Sequence, residues 1–289
     1  MLIAAGWVDY ELLDTGAGER LERWGRHILR RPDPVVIWPS GDKSLWKRAE
    51  AHYHRSSNGG GSWNFTGALP PRWEISYRDF RFYVKPMGFK HLGLFPEQAV
   101  NWDWIVAKLK SWPGPAPRVL NLFAYTGGAT VAAASAGAEV CHVDAAKGMV
   151  AWAKENLALS GLKERPVRFI VDDCIKFVQR EKRRGRQYEG IIMDPPSFGR
   201  GPGGEVWKLE TELYRLVEAC ALILAPKPLF FLINSYTTGL QPGVIQNILE
   251  LAVASKYGGS VSASEIGLPV TASKIILPCG ACGRWEFKA

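Results

Sequence analysis

Gly190-Ile191-Ile192-Met193-Asp194-Pro195-Pro196-Ser197-Phe198 decides how this 289-residue chain is read. The apolar run from Gly190 to Met193 predicts a short buried strand. Two consecutive prolines can neither continue a ladder nor start a regular helix, so the backbone must leave the sheet there as a stiff, extended turn. An acid, a rigid backbone and an aromatic ring are thereby set at the carboxyl end of a strand. In an open α/β sheet, that end is where ligands bind.

Outward from this stretch, strand and helix signals alternate. Residues 118–123, 138–143, 167–171 and 229–233 predict strands, and 128–136, 147–160, 174–183, 210–224 and 244–254 predict helices. Two final strands are expected near 260–266 and 284–287. The alternation predicts an α/β fold with a doubly wound, mainly parallel sheet. Before residue 115 the chain is rich in Trp, Gly, Pro and Arg. Residues 73–77 and 80–84 flank Arg78-Asp79 and predict a hairpin, and 34–38 a further strand. Residues 19–30 have helical spacing, with Leu21, Trp24 and Ile28 on one face. Residues 56–62 predict a loop. The expected organisation is a small β-rich accessory domain over residues 1–88 and a second domain over 89–289. The six tryptophans of the first domain read as packing rather than as a base-stacking platform.

Composition narrows the function classes. The apolar fraction is 47%, that of a globular protein, and no apolar run approaches the ~18 uncharged residues of a membrane span. Met1 to Trp7 carries no basic residue before Asp9 and Glu11, so it does not read as a signal peptide. Five cysteines, an odd number, give no disulfide framework, and a reducing cytoplasm is the expected location. The net charge of +8 favours polyanions such as RNA through phosphate contacts. A basic protein with no nucleic-acid partner fits the charge equally well.

Asn121-Leu122-Phe123-Ala124-Tyr125-Thr126-Gly127-Gly128 sits where the first strand of the alternating region turns into its helix. Glycines there let the backbone approach a ligand without a Cβ clash. The turn has neither the full G-x-G-x-x-G spacing nor a P-loop lysine. Asp144 ends the next strand, where a carboxylate can accept hydrogen bonds from ribose hydroxyls. Asp172-Asp173-Cys174 follows the third strand, where a carboxylate can accept from an adenine amino group. Each acid has helix capping as its alternative reading. Three acids at three successive strand ends beside one glycine turn make a nucleoside crevice the better account.

The stretch from Leu120 to Leu162, with Asp173 and Asp194-Pro195-Pro196-Ser197-Phe198, resembles the bacterial 23S ribosomal RNA large-subunit methyltransferases. That group contains methyltransferase I and the C-terminal half of enzyme K/L. Leu92-Gly93-Leu94-Phe95-Pro96-Glu97-Gln98 is similar to the family's Gly-x-Phe-x-x-Gln segment. The resemblance covers roughly residues 90–289. It implies a Rossmann-like class I methyltransferase fold, S-adenosylmethionine (SAM) as cofactor and RNA, ribosomal RNA in particular, as partner. It also implies that Gln98, Tyr125, Thr126, Gly127, Asp144 and Asp173 hold SAM, with Phe123 and Cys174 completing the candidate set. The N-terminal region does not resemble the PUA-type RNA-binding module of methyltransferase I.

An Asp-Pro-Pro-aromatic motif in this place marks methyltransferases that act on planar nitrogens, and with Ser197 before Phe198 this chain resembles its wider Asp-Pro-Pro-x-Phe variant. Asp194 or the Pro195 carbonyl can accept the amine hydrogens and turn the nitrogen lone pair to the methyl. Phe198 can stack on a base, or pack in the core. Pro196 stiffens the turn, and Lys208, after the glycine-rich stretch 199–204, is a candidate for phosphate contact, as is Arg200. That stretch reads as a lid. By the resemblance, 5-methylcytosine chemistry would bring a cysteine after the fifth strand; Asn234-Ser235-Tyr236-Thr237-Thr238-Gly239 has none, which favours N-methylation. Cys279-Gly280-Ala281-Cys282 supplies only two ligands, and no metal site is expected. Arg180 to Arg186 is the densest basic run, read as a solvated helix end or as a distal RNA contact. A same-fold methyltransferase acting on a protein side chain or small molecule, and a non-catalytic SAM- or RNA-binding module, remain the alternatives.

Overall fold

The computed structural model describes residues 1–56, 60–200, 206–237 and 239–288; for Arg200 it describes the backbone alone. The expected loop residues 57–59, the glycine-rich residues 201–205 and Thr238 lie outside the described residues. The chain divides into two compact units. The smaller holds Ile3–Val100 and Gly267–Cys279, and the larger holds Met1–Leu2, Asn101–Ile266 and Gly280–Ala289.

After a short strand β1 (Leu2–Ile3), the smaller unit has β2 (Tyr10–Gly16), β3 (Glu19–Trp24), β4 (His27–Pro32), a one-turn helix α1 (Lys43–Trp46), β5 (Ala51–Arg55) and β6 (Gly61–Phe65). These strands form one sheet in the order β2-β3-β4-β5-β6. The hairpin β7 (Trp73–Tyr77) and β8 (Phe80–Val84) pairs Tyr77 with Phe80 across Arg78-Asp79, as expected. Two expectations are corrected. Residues 19–30 are not a helix but the strands β3 and β4, joined at Gly25 with a left-handed φ of 63°. The helical spacing misled because Arg20, Glu22 and Arg31 are buried charges. Glu22 accepts from Arg31 Nε at 2.6 Å and from the Tyr10 hydroxyl at 2.8 Å. Burial opposes its charge, but Arg31 and Arg20 hold its carboxyl down at about 2. A period of two was therefore present in space and hidden in polarity. Residues 34–38 are not a strand either. The Asp33 side chain accepts from Val35 N at 3.2 Å, the chain turns at Pro34, and Ile37 is 89% exposed.

Helix α2 (Ala99–Lys110), most of it in the larger unit, was not expected from the sequence. The larger unit continues with β9 (Arg118–Leu122), α3 (Gly128–Ser135), β10 (Glu139–Asp144), α4 (Lys147–Leu159), β11 (Val167–Val171), α5 (Cys174–Arg183) and β12 (Gly190–Met193). A small hairpin β13 (Phe198–Arg200) and β14 (Val206–Lys208) leads to α6 (Leu209–Ala221), β15 (Phe230–Ser235) and α7 (Pro242–Leu249). A π-helical turn (Glu250–Ala254), α8 (Ser255–Tyr257), β16 (Ser260–Pro269) and β17 (Ile276–Glu286) end the chain. The eight-stranded sheet has the order β1-β16-β17-β15-β12-β9-β10-β11. Strands β15, β12, β9, β10 and β11 are parallel, and β17 runs antiparallel to β15. This is the expected doubly wound sheet of the class I methyltransferase fold, and the chain also carries the smaller N-terminal β-rich sheet.

Burial explains the central strands. All four residues of β12 and all six of β15 are buried, as parallel strands covered on both faces require. A Cβ on Gly190 would meet the Phe230 ring at 2.7 Å, so glycine allows the two strands to pack. Helix α6 turns Leu209, Leu213, Leu216, Val217 and Cys220 onto the same core as Ile191, Met193, Phe231 and Ile233. The order reverses between β9 and β12. Their carboxyl ends, and that of β10, therefore border the crevice where such sheets bind ligands. Among the described residues, no helix is long and apolar enough to cross a membrane.

Candidate active site

The turn after β9 is conformationally demanding. Phe123, Tyr125 and Gly127 take left-handed φ values of 53°, 49° and 87°. For the two aromatic residues this conformation costs about 1–3 kcal/mol each, which surrounding contacts must offset. The offsetting contacts are present. Phe123 N donates to Cys174 Sγ at 3.3 Å, and Ala124 N to the Val143 carbonyl at 3.1 Å. Tyr125 N donates to Asp144 Oδ2 at 2.8 Å, and Asn156 Nδ2 to the Thr126 carbonyl at 2.9 Å. Gly127 is required twice over. Its φ favours glycine, and a Cβ would stand 2.9 Å from Ala153 Cβ. A Cβ on Gly128 would likewise strike the Trp102 ring at 2.6 Å.

Asp144 does not cap α4, whose N-cap is Ala146. Its other oxygen, Oδ1, accepts from Ala146 N at 2.8 Å. Burial raises its pKa, and the N–H donors of Ala146 and Tyr125 pull it back. Each carboxylate oxygen keeps a further lone pair. Asp173 is the N-cap of α5, accepting from Lys176 N at 2.9 Å. Asp172 pairs with Arg180. The Cys174 side chain is buried in the core, with its pKa pushed up by burial. It supports the Phe123 turn from beneath. Gln98 lies in the smaller unit, on a 3-10 turn (Pro96–Gln98), and is buried.

Under this turn lies a polar network that the sequence reading missed. Asn121 Nδ2 donates to the Thr130 hydroxyl at 3.0 Å, and Thr130 lies 2.9 Å from His142 Nδ1. All three residues are buried. Burial drives the His142 pKa down to about 3, so the ring is neutral. A lone histidine in a strand gave no signal for this role.

The carboxyl end of β12 carries the remaining candidates. Asp194 is half-buried and Pro195 buried, while Pro196, Ser197 and Phe198 are exposed. At 53% exposure the Phe198 ring is not a core residue. The hairpin pairs Phe198 with Lys208, so ring and exposed ammonium stand opposite each other. Trp207 is the important residue that was overlooked. Its Nε1 donates to the Pro196 carbonyl at 2.6 Å, and its ring lies 5.5 Å from that of Phe123. It therefore joins the hairpin to both the proline turn and the left-handed turn. Ser197 and Thr237 bring their hydroxyls to 2.6 Å, tying the proline turn to the end of β15. Asn101, on α2, donates to Asn234 Oδ1 at 2.9 Å and accepts from Arg284 and from Cys282 Sγ. All five cysteines are free. Among the described residues, no group of three His, Cys, Asp or Glu residues is placed to hold a metal ion.

Comparison with known proteins agrees with this architecture. The S-adenosylmethionine-dependent methyltransferase family matches residues 29–240. Ribosomal RNA large subunit methyltransferase K/L of Shewanella baltica (strain OS155 / ATCC BAA-1091) is 32% identical over 148 residues, 50% of this chain and 20% of the relative. The K/L enzyme of Shewanella sp. (strain ANA-3) is 37% identical over 120 residues, 41% of this chain and 16% of the relative. The chain thus spans about a fifth of the length of these curated relatives. The crystal structure of a SAM-dependent methyltransferase from Agrobacterium tumefaciens superposes with a TM-score of 0.94 at 37% identity, covering 99% of this chain and 93% of that one. SMU.776 complexed with SAH shares the fold, with a TM-score of 0.71 at 17% identity over 97% of this chain and 76% of that one.

Proposed function

This chain belongs to the S-adenosylmethionine-dependent methyltransferase family, and on that premise we propose that it methylates a base nitrogen in RNA, with ribosomal RNA as the substrate class. Its cofactor is SAM. When bound, SAM supplies a methyl already activated on a sulfonium, so the protein's task is alignment rather than activation. The left-handed turn fits such a group. Gly127 leaves the backbone open, and each Asp144 oxygen keeps a lone pair for a ribose hydroxyl after accepting one backbone N–H. Tyr125, Thr126, Phe123, Asp173 and Gln98 complete the set assigned to the cofactor in this reading.

The observation that carries the nitrogen acceptor is the end of β12. Asp194 and the Pro195 carbonyl are oxygen acceptors on a backbone that two prolines stiffen, and Met193 anchors that backbone in the core. The Pro196 carbonyl is already taken by Trp207. Two acceptors on a fixed frame can hold the two hydrogens of an amino group and direct its lone pair. Phe198, exposed beside them, offers a face for a base, and Lys208 a charge for a phosphate. The K/L relatives and the charge of +8 support RNA over a small acceptor.

Labelled methyl from SAM, offered to total RNA and total protein from cells lacking the protein, tests this directly. Label in RNA that disappears with Asp194→Ala is the expected result. Label in protein alone would replace the RNA reading with a protein-directed one.

A further inference from the structure

The amino ends of the parallel strands lie at the far end of the sheet from the proline turn. There a cleft of about 370 Å³ opens between the starts of β9, β10 and β11 and the segment that follows α5. Its walls include Arg118, Glu139, Arg168, Arg186 and Tyr188. Arginines from β9, from β11 and from the α5–β12 connection therefore converge on one concavity, although they are far apart in sequence. Arg168 and Arg186 are exposed.

Charge accounting separates this edge from an ordinary solvated surface. Glu189 is committed to Arg118, at 3.0 Å. Glu181 is committed to Arg184 at 3.1 Å and to the Tyr188 hydroxyl at 2.6 Å. Arg180, from the same basic run, turns away to Asp172. Among the described residues Arg168 and Arg186 form no ion pair, and Glu139 is the acid on the cleft wall with them; the exposed Lys163, Arg165, Lys182 and Arg183, with Glu164, lie in the adjoining segments of the chain. The cleft wall, with Arg118, Arg168 and Arg186 against Glu139, thus carries more positive than negative charge. Planar guanidiniums on two walls of a concave site suit phosphate oxygens, which they can grip in pairs.

We propose that this cleft is a second RNA-binding site, which holds phosphodiester groups of the substrate strand away from the methylated base. The inference rests on the RNA reading above. The six residues of β10 span about 20 Å, so the cleft lies about that far from the carboxyl ends of the strands. A folded RNA reaching from the Asp194 turn to the cleft therefore needs only a short stem. The site reads no sequence. It orients the RNA and adds affinity that falls with salt.

The test uses the full chain and the double variant Arg168→Gln/Arg186→Gln, with Lys43→Gln/Lys47→Gln as a charge-matched control on the smaller unit. Binding of a labelled single-stranded uridylate of about 30 residues is followed between about 50 and 200 mM salt, where each phosphate contact contributes about 0.7 to the log–log slope. Loss of two contacts should reduce the slope by about 1.4 in the cleft variant and leave it unchanged in the control, with SAM affinity intact in both. An unchanged slope, or equal losses in both variants, overturns the proposal. Methyl transfer to total RNA by the parent chain is measured in parallel. If the parent neither binds nor methylates RNA, the RNA reading itself falls and takes the cleft with it. If the parent methylates RNA and only the slope fails to change, the cleft alone is rejected.

Discussion

Asp144 accepts the backbone N–H of Tyr125 at 2.8 Å and so ties the end of β10 to the turn that follows β9. One carboxylate thereby holds a left-handed tyrosine in place and, in the proposed site, offers its remaining lone pairs to the cofactor. Asp144→Asn should upset both roles, because an amide nitrogen facing either N–H is a donor meeting a donor. SAM affinity measured by calorimetry should fall about 10- to 100-fold, as expected for a charge-assisted hydrogen bond of about 1.5–3 kcal/mol. Unchanged affinity would remove Asp144 from the cofactor site.

Trp207 predicts a split between binding and turnover. Trp207→Phe keeps a ring against Phe123 but releases the Pro196 carbonyl. SAM affinity should stay within about twofold, while kcat falls by about tenfold, the equivalent of one hydrogen bond of about 1 kcal/mol or slightly more. A loss confined to SAM affinity would place Trp207 with the cofactor rather than with the acceptor turn.

Two glycines share a left-handed backbone but not a neighbourhood. Gly137, with φ 90°, would have nothing within 4 Å of an added Cβ, whereas at Gly127 that Cβ would lie 2.9 Å from Ala153. Gly137→Ala should cost the backbone strain of about 1 kcal/mol. Gly127→Ala should cost about 1–3 kcal/mol more in denaturant unfolding and should also abolish SAM binding. Equal losses would mean that the close approach at Gly127 relaxes freely.

His142 gives the larger unit a pH dependence of defined sign. Its pKa is lowered from 6.5 to about 3 by burial, so the unfolded chain takes up the proton first. Its stabilising effect is complete above pH 6.5 and is lost progressively as pH falls towards 3. Between about pH 7.5 and pH 5 this one group should remove about 2 kcal/mol. Denaturant titrations of the parent and of His142→Gln should differ in pH slope by that amount. Identical slopes would mean that the ring takes up its proton as readily in the folded chain as in the unfolded one.

What the sequence disclosed follows from polarity. In the larger unit β12 and most of β15 are apolar and the other parallel strands largely so, and the alternation of strands and helices and the acids at strand ends were therefore legible. Helix α2 was not, because Asn101, Asp103 and Lys108 interrupt its apolar positions, and the buried Asn101 meets partners far along the chain, among them Asn234, Cys282 and Arg284. In the smaller unit, buried Glu22 and Arg31 broke the link between hydrophobicity and burial, and a strand pair was read as a helix. Among the candidate site residues, Asp144 and Asp194 were legible as acids at or just after the ends of strands. Trp207 and the Asn121–Thr130–His142 network could not, since their importance lies in partners far along the chain.

The position of β17 has a consequence for synthesis. This last strand is hydrogen-bonded in the sheet between β15 and β16, and Gly267–Cys279, made just before most of it, belongs to the smaller unit. A ribosome delivering the chain in order leaves the β15 edge open, and the smaller unit incomplete, until β17 has emerged. An open edge on an apolar strand invites pairing with other nascent chains. Ribosome-stalled chains that stop before Ile276 should be cut readily by protease across residues 118–235, and chains carried past Glu286 should resist. Resistance of the shorter chains would show that the parallel strands close without their final neighbour.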